Sequence, residues 1–196
     1  MIIPVAHDFI CPWCWIGISQ ARRLQQEFGV QIEWLAYELL PETMEWPEPP
    51  PKPVVETERT KTPNRIELAY AAEGMEPPTA DRPKRMRSHY AHEAAEFAKT
   101  QGLDVADAFI ERLYYAYWTK GLEINNPLVL TDLANGIVND IPEMLKAIEE
   151  KRFAKNIIAF DEPAYSSGVY YVPTFFINGQ KFAEQPYAVI RKAFGK

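Results

Sequence analysis

The sequence predicts an α/β protein. A β-α-β unit at the start of the chain and a β-β-α unit at its end share one sheet, interrupted by an all-helical insertion. Three observations carry this expectation. Short β-branched and aromatic runs sit near both ends of the 196 residues. Apolar residues between 63 and 153 recur at helical spacing. The proline-rich stretch around 47–53 separates the two textures.

The elements follow in order. Ile2 to Phe9 is apolar and β-leaning and runs directly into Cys11-Pro12-Trp13-Cys14. Trp15 to Phe28 reads as a helix with Ile16, Leu24 and Phe28 on one broad face, and Gly29 stands where a helix-ending glycine belongs. Val30 to Tyr37 alternates and is rich in β-branched and aromatic residues, which completes a βαβ-sized unit. Trp46-Pro47-Glu48-Pro49-Pro50-Pro51-Lys52-Pro53 fits neither helix interior nor central strand. It reads as an extended crossover loop, with a polyproline ligand for an aromatic groove as the functional alternative.

Residues 63–153 read as helical throughout. Ser88 can cap a helix carrying Tyr90, Ala94, Phe97 and Ala98, and Asp104 one carrying Val105, Phe109, Leu113 and Tyr117. Asn126-Pro127 opens another with Leu130, Leu133 and Ile137. Residues 141–151 and 152–165 are expected to add two more. Thr174 to Asn178 is a short strand, Asn178-Gly179 is a two-residue hairpin signal, and Gln180 to Phe182 pairs back. Pro186 then opens a last helix through Tyr187, Ile190 and Phe194. The expected boundaries are 1–62 and 154–196 for the two halves of the sheet domain and 63–153 for the insertion.

Composition narrows the function classes. With 47% hydrophobic and 24% charged residues, the chain can bury a core and is not a disordered segment. A net charge of −6 lacks the basic footprint of a nucleic-acid binder. No apolar run approaches the ~18 residues of a membrane span, and the first eight residues carry no Lys or Arg. The expectation is a cytoplasmic protein without nucleic-acid or membrane partners.

The chemistry concentrates in the only two cysteines, Cys11 and Cys14. A disulfide across so short a loop adds little chain-entropy stability, so the pair is chemical rather than a staple. Cys11 stands where a strand ends and a helix begins, a position that favours a thiolate nucleophile. Cys14, one turn further, can attack a mixed disulfide on Cys11 and release the substrate. Pro12 suits the first helical turn, and Trp13 adds apolar surface beside the sulfurs. Asp8 and His7 are candidates for tuning the cysteine pKa; a turn or capping role for Asp8 and a strand position for His7 are the alternatives. Trp15 reads as core or as part of a hydrophobic groove. Arg82, Lys84, Arg85 and Arg87 form a basic cluster, either an anion site or a solvated helix start. Tyr114, Tyr115, Tyr117 and Trp118 are either core or a partner surface. A zinc site joining the cysteines to His89 and His92, and an inert thiol pair in a non-enzymatic binding module, are the rival readings.

Asp8-Phe9-Ile10-Cys11-Pro12-Trp13-Cys14-Trp15-Ile16-Gly17 resembles the active-site signature of the DsbA-like thioredoxin-fold family, in its FrnE-type dithiol–disulfide isomerase branch. Glu33 to Pro41 resembles the family's second strand and following loop, and Leu113 to Ala134 its helical domain. Ser167 to Gly179 resembles its Gly-Val-…-Val-Pro-Thr-Phe element. Ala183-Glu184-Gln185 stands where the family often has Gly-Ala-Gln.

The resemblance implies a thioredoxin-like fold interrupted by an all-helical insertion domain. It implies a cis Val172-Pro173 peptide facing Cys11, with Val172 and Pro173 presenting backbone to an extended substrate. It also implies a thiol–disulfide oxidoreductase or isomerase acting on protein or low-molecular-weight disulfides. No bound metal or organic cofactor is expected, and glutathione is a candidate exchange partner. The glutathione-dependent 2-hydroxychromene-2-carboxylate isomerases of the same superfamily are the enzymatic alternative. They typically carry serine where this chain has Cys11.

Overall fold

A computed structural model describes residues 1–48, 63–160 and 166–195. Its centre is a five-stranded sheet. Strands β1 (Ile2–His7) and β2 (Gln31–Glu38) run parallel, with Val5 opposite Trp34. β4 (Thr174–Ile177) lies antiparallel on the other side of β1, and β5 (Gln180–Ala183) pairs back on β4. The short β3 (Ile158–Ala159) extends the far edge alongside β2, giving the order β3-β2-β1-β4-β5.

The two ends of the chain therefore meet in one sheet, as their strand patterns predict. The crossover from β1 to β2 is helix α1 (Pro12–Phe28), closed by Gly29 in the left-handed conformation. Asn178 and Gly179 both take positive φ, as a two-residue turn between β4 and β5 requires.

The remaining described helices are α2 (Arg65–Glu73), α3 (His89–Lys99), α4 (Leu103–Lys120), α5 (Pro127–Ala134), α6 (Ile141–Glu149) and α7 (Tyr187–Lys192). α4 governs the site because it packs on both β2 and α1. Arg22 of α1 forks onto Asp107 of α4 (2.5 Å) and reaches Glu111 (2.9 Å). Trp34 of β2 donates its indole N–H to the same Asp107 (2.6 Å). One carboxylate thus ties α1, β2 and α4 together. The α4 face that results buries Phe109, Leu113, Tyr114 and Trp118 against Phe9 and Trp15 in a shared core.

Several sequence expectations change. Residues 63–153 are not helical throughout. Between α2 and α3 the chain runs irregularly from 74 to 88, because Pro77, Pro78 and Pro83 remove backbone donors and block helical turns. The α4 N-cap is Gly102, with Asp104 inside the first turn, where its charge suits the helix dipole. Ser88 is the N-cap of α3 but makes no side-chain capping bond. The helix expected over 152–165 is, in its described part, a 3-10 turn at Ala154–Asn156 followed by β3. Ile137 and Phe194 lie beyond the ends of α5 and α7; Phe194 stacks on Phe28 at 4.3 Å instead. Of the proline-rich stretch, Pro47 and Glu48 have no regular structure, and 49–53 lie outside the described residues.

Candidate active site

β1 ends at His7, the chain turns through Asp8-Phe9-Ile10, and α1 begins at Pro12. Cys11 is the N-cap of α1, and its carbonyl accepts from the N–H groups of Cys14 (3.0 Å) and Trp15 (3.2 Å). Pro12 occupies the first helical position, where a missing N–H leaves no bond unmade. The cysteines therefore sit at the helix end that attracts negative charge.

Both thiols are free. Cys11 retains 4% of its surface and Cys14 none. The Cys11 thiol donates to the Val172 carbonyl at 3.3 Å, across the cis Val172–Pro173 peptide. Cys14 accepts from the Asp8 N–H at 3.5 Å. Burial pushes the Cys14 thiol well above its ordinary range, and its hydrogen bond with the Cys11 thiol adds to the rise. Cys14 is therefore a protonated thiol at neutral pH.

Gly17, one turn beyond Cys14, lets α1 approach the prolyl loop. A Cβ there would stand 2.9 Å from Pro173 Cγ and 3.0 Å from its Cβ. Gly17→Ala is expected to push the Val172–Pro173 loop off the helix, to cost about 1–3 kcal/mol, and to slow disulfide exchange. Chemical denaturation and an exchange assay on the same preparation check this; an unchanged rate and melt would show that the loop yields freely.

Asp8 ties this end of the fold together. Its carboxylate accepts from the N–H groups of Leu39 (2.7 Å) and Ile10 (3.3 Å) and lies 3.4 Å from His92 Nε2. Its carbonyl accepts from the Cys11 N–H (3.2 Å) and the Tyr114 hydroxyl (3.1 Å). The side chain is a turn residue, and the backbone on either side of it holds both cysteines.

His7 points away from the surface. Its ring packs edge-on against Phe9, Trp34 and His92, and Nδ1 bonds the Tyr114 hydroxyl at 2.9 Å. Burial holds this imidazole well below its ordinary range, so it is neutral.

His89 behaves in the opposite way. It lies 3.1 Å from Glu38 and 3.6 Å from Glu93, and their hydrogen bonds push it up to about 9. The raised value means that the folded state holds this proton more tightly than the unfolded chain does. The stabilisation is fully present below the ordinary histidine pKa of about 6.5 and is lost as pH rises through 9. Because the ring is partly open to solvent, screening reduces the contribution to on the order of 1 kcal/mol. Denaturation curves at pH 6 and pH 9.5 should show that loss in the wild type and a smaller one in His89→Gln; equal losses would exclude the assignment.

Other candidates separate cleanly. Trp13 is half-buried beneath the Arg65 guanidinium, 4.6 Å from its ring centre, and Arg65 pairs with Glu184 at 2.9 Å. Trp13 and Pro173 line a small cavity of about 50 Å³. Trp15 belongs to the core, stacked on Trp118 at 6.2 Å. His89 and His92 are committed to Glu38, Glu93 and Asp8, and among the described residues no group of three or more metal-ligating side chains is placed to hold an ion.

The basic cluster divides. Arg82 lies over the Trp118 ring at 4.0 Å, and Arg87 donates to the carbonyls of Leu40, Pro41 and Met44. Lys84 and Arg85 remain on the wall of a cleft of about 470 Å³ that also touches Ile10. Among the aromatic residues of α4, Tyr114, Tyr117 and Trp118 are core and Tyr115 is half exposed. The Tyr114 hydroxyl is the site feature that sequence reasoning did not isolate. Its only signal was membership of that aromatic run.

This fold and the paired cysteines at the first turn of α1 define a thiol–disulfide oxidoreductase of the thioredoxin type. The chain belongs to the DSBA-like thioredoxin domain family, whose model matches residues 2–195. Solved structures share this fold, among them the following three. A probable DsbA oxidoreductase from Streptomyces coelicolor is 21% identical, with a TM-score of 0.69 over 100% of this chain and 91% of that one. The cytosolic disulfide reductase DsbM from Pseudomonas aeruginosa, solved with GSH, is 18% identical, with a TM-score of 0.64 over 99% of each chain. A 2-hydroxychromene-2-carboxylate isomerase is 15% identical, with a TM-score of 0.61 over 100% and 95%. No curated protein sequence matches. Among the described residues no helix is long and apolar enough to cross a membrane.

Proposed function

We propose that the protein exchanges a Cys11–Cys14 dithiol/disulfide pair with disulfides of proteins or small molecules. The observation that carries this reading is the division of labour between the sulfurs: Cys11 reaches the surface at a helix N-cap, while Cys14 is sealed one turn deeper. Cys11 attacks a substrate disulfide and forms a mixed disulfide. Cys14 then attacks the Cys11 sulfur, closes the internal disulfide and releases the second substrate thiol.

Val172 and Pro173 lie across from Cys11 and supply backbone to an extended substrate. In particular, the Val172 carbonyl that now accepts from the Cys11 thiol is released once that sulfur is bonded to substrate. Pro12 and Trp13 shape the mouth of the site. The reaction needs electrons and protons only from thiols, so no organic cofactor or metal enters it. Glutathione is a fitting exchange partner, supported by its presence in the structure of the similar disulfide reductase. The cytoplasm fits a reductive or isomerising role, because the compartment keeps thiols reduced. The alternative of a glutathione-dependent isomerase leaves the buried, hydrogen-bonded Cys14 without a task.

The test is a trapping experiment. Cys14→Ser should accumulate a mixed disulfide on Cys11 when mixed with oxidised glutathione or a disulfide-bonded peptide, visible as an adduct by intact mass spectrometry. Wild-type protein should pass through that adduct to the internal disulfide. Absence of any adduct on the variant would refute the assignment.

A further inference from the structure

We propose that the Tyr114 hydroxyl is a catalytic group of the resolving step, the donor that takes up the charge of Cys14 as it attacks. The proposal rests on the exchange reaction above and concerns only its second half.

The resolving thiol faces an electrostatic problem. Cys14 is buried with its thiol pushed up, yet it must attack as a thiolate. A buried thiolate needs hydrogen-bond donors. The Asp8 N–H is one, fixed at 3.5 Å. The Tyr114 hydroxyl is the other. It donates to the carbonyl of the same Asp8 residue at 3.1 Å, the residue whose N–H bonds the Cys14 sulfur, and it stands near enough to that sulfur for the Cys14 charge to raise its phenol.

Tyr114 does not act as a base. Burial and the charges of Cys14, Cys11 and Asp8 hold its phenol well above the ordinary range, so it keeps its proton. What it can do is rotate. Behind it stands the neutral His7, with Nδ1 at 2.9 Å. With Nδ1 protonated, His7 donates to the phenolic oxygen and leaves the Tyr114 proton free to turn from the Asp8 carbonyl to the sulfur. Rings of Phe9, Trp15 and Trp34 pack around Tyr114, so water does not compete for that proton.

The step balances without a further reagent. Cys14 gives its proton to solvent through the opening at Cys11, its sulfur forms the Cys11–Cys14 bond, and the bond between Cys11 and the substrate sulfur breaks. The departing thiolate carries off the electron pair and takes up a proton from solvent in place of the one Cys14 lost. Tyr114 keeps its proton throughout and returns to Asp8.

The test uses the reduced protein and dithiobis(nitrobenzoate), which releases one coloured thiolate when Cys11 attacks and a second when Cys14 resolves. In stopped flow, Tyr114→Phe should leave the first phase within about two-fold of wild type. It should slow the second about ten-fold at pH 7, the loss of one charge-assisted hydrogen bond. The midpoint of the second phase against pH should also move upward.

The groups facing the reacting sulfur and its donor are Cys11 on α1, Asp8 in the turn and His7 at the end of β1, with His92 and Lys99 on α3 acting through His7. All remain in the variant, so the shift reports Tyr114. His7→Gln, which keeps an amide beside the phenol, should show a smaller slowing of the same phase. An unchanged second phase in Tyr114→Phe would overturn the proposal, as would equal slowing of both phases, which marks a structural effect. A wild type that releases only one thiolate would instead contradict the exchange reaction itself.

Discussion

Cys11→Ser is expected to abolish disulfide exchange, with no turnover above the uncatalysed rate, while leaving the fold intact. Cys11 retains the only solvent-facing surface of the pair, and its thiol donates to the Val172 carbonyl at 3.3 Å. A serine hydroxyl can make that same bond, so stability should change by less than about 1 kcal/mol. It has no sulfur and cannot form a mixed disulfide at any pH. Cys14 cannot substitute, being fully buried and protonated. A reductase assay with a disulfide-bonded peptide, run beside a thermal melt, separates loss of chemistry from loss of fold. Residual exchange above a tenth of wild type would move the nucleophile elsewhere.

Asp8→Ala should have the largest effect on stability of any single change near the site. The carboxylate is completely buried and accepts from two backbone N–H groups, those of Leu39 and Ile10. Removing it leaves two donors unpaired in the interior, at about 1–3 kcal/mol each, and strips His92 of its partner at 3.4 Å. The expected loss is about 3–5 kcal/mol, a fall of roughly 10 °C in melting temperature for a chain of this size. Asp8→Asn keeps one acceptor and should recover about half. Exchange activity should fall with the fold, because the same turn carries the Cys11 and Cys14 hydrogen bonds. A melt within two degrees of wild type would contradict this account of the turn.

The sequence made some of these elements legible and hid others, for physical reasons. Local chemistry marks β1, the cysteine pair and α1, because strand patterning, Pro12 at the helix start and Gly29 at its end all act within a few residues. Asn178-Gly179 marks the β4–β5 hairpin in the same way. The run from 74 to 88 departs from the helical expectation because Pro77, Pro78 and Pro83 interrupt a stretch whose flanks carry helical spacing. β3 escaped because two residues on a sheet edge carry no pattern; only their pairing with Tyr37 and Glu38 defines them.

Within the site, Cys11 and Cys14 announce themselves by spacing, while Val172 and Pro173 entered through family resemblance. Tyr114 could not be found that way. It meets His7 across 107 residues of sequence, and nothing local distinguishes it from Tyr115 or Tyr117 on the same helix. Its placement depends on α4 docking over β1 and β2 through the Asp107 contacts with Arg22 and Trp34.

The most direct test of the central claim is an equilibrium titration of the protein in glutathione redox buffers, followed by Trp13 and Trp15 fluorescence and by thiol trapping with mass spectrometry. The account predicts a single reversible two-electron transition between the free dithiol and an internal Cys11–Cys14 disulfide. Its midpoint should fall between about −270 and −120 mV, the span of characterised thioredoxin-type pairs. Two thiols that stay reduced across the whole range, or that form only separate adducts with glutathione, would contradict it.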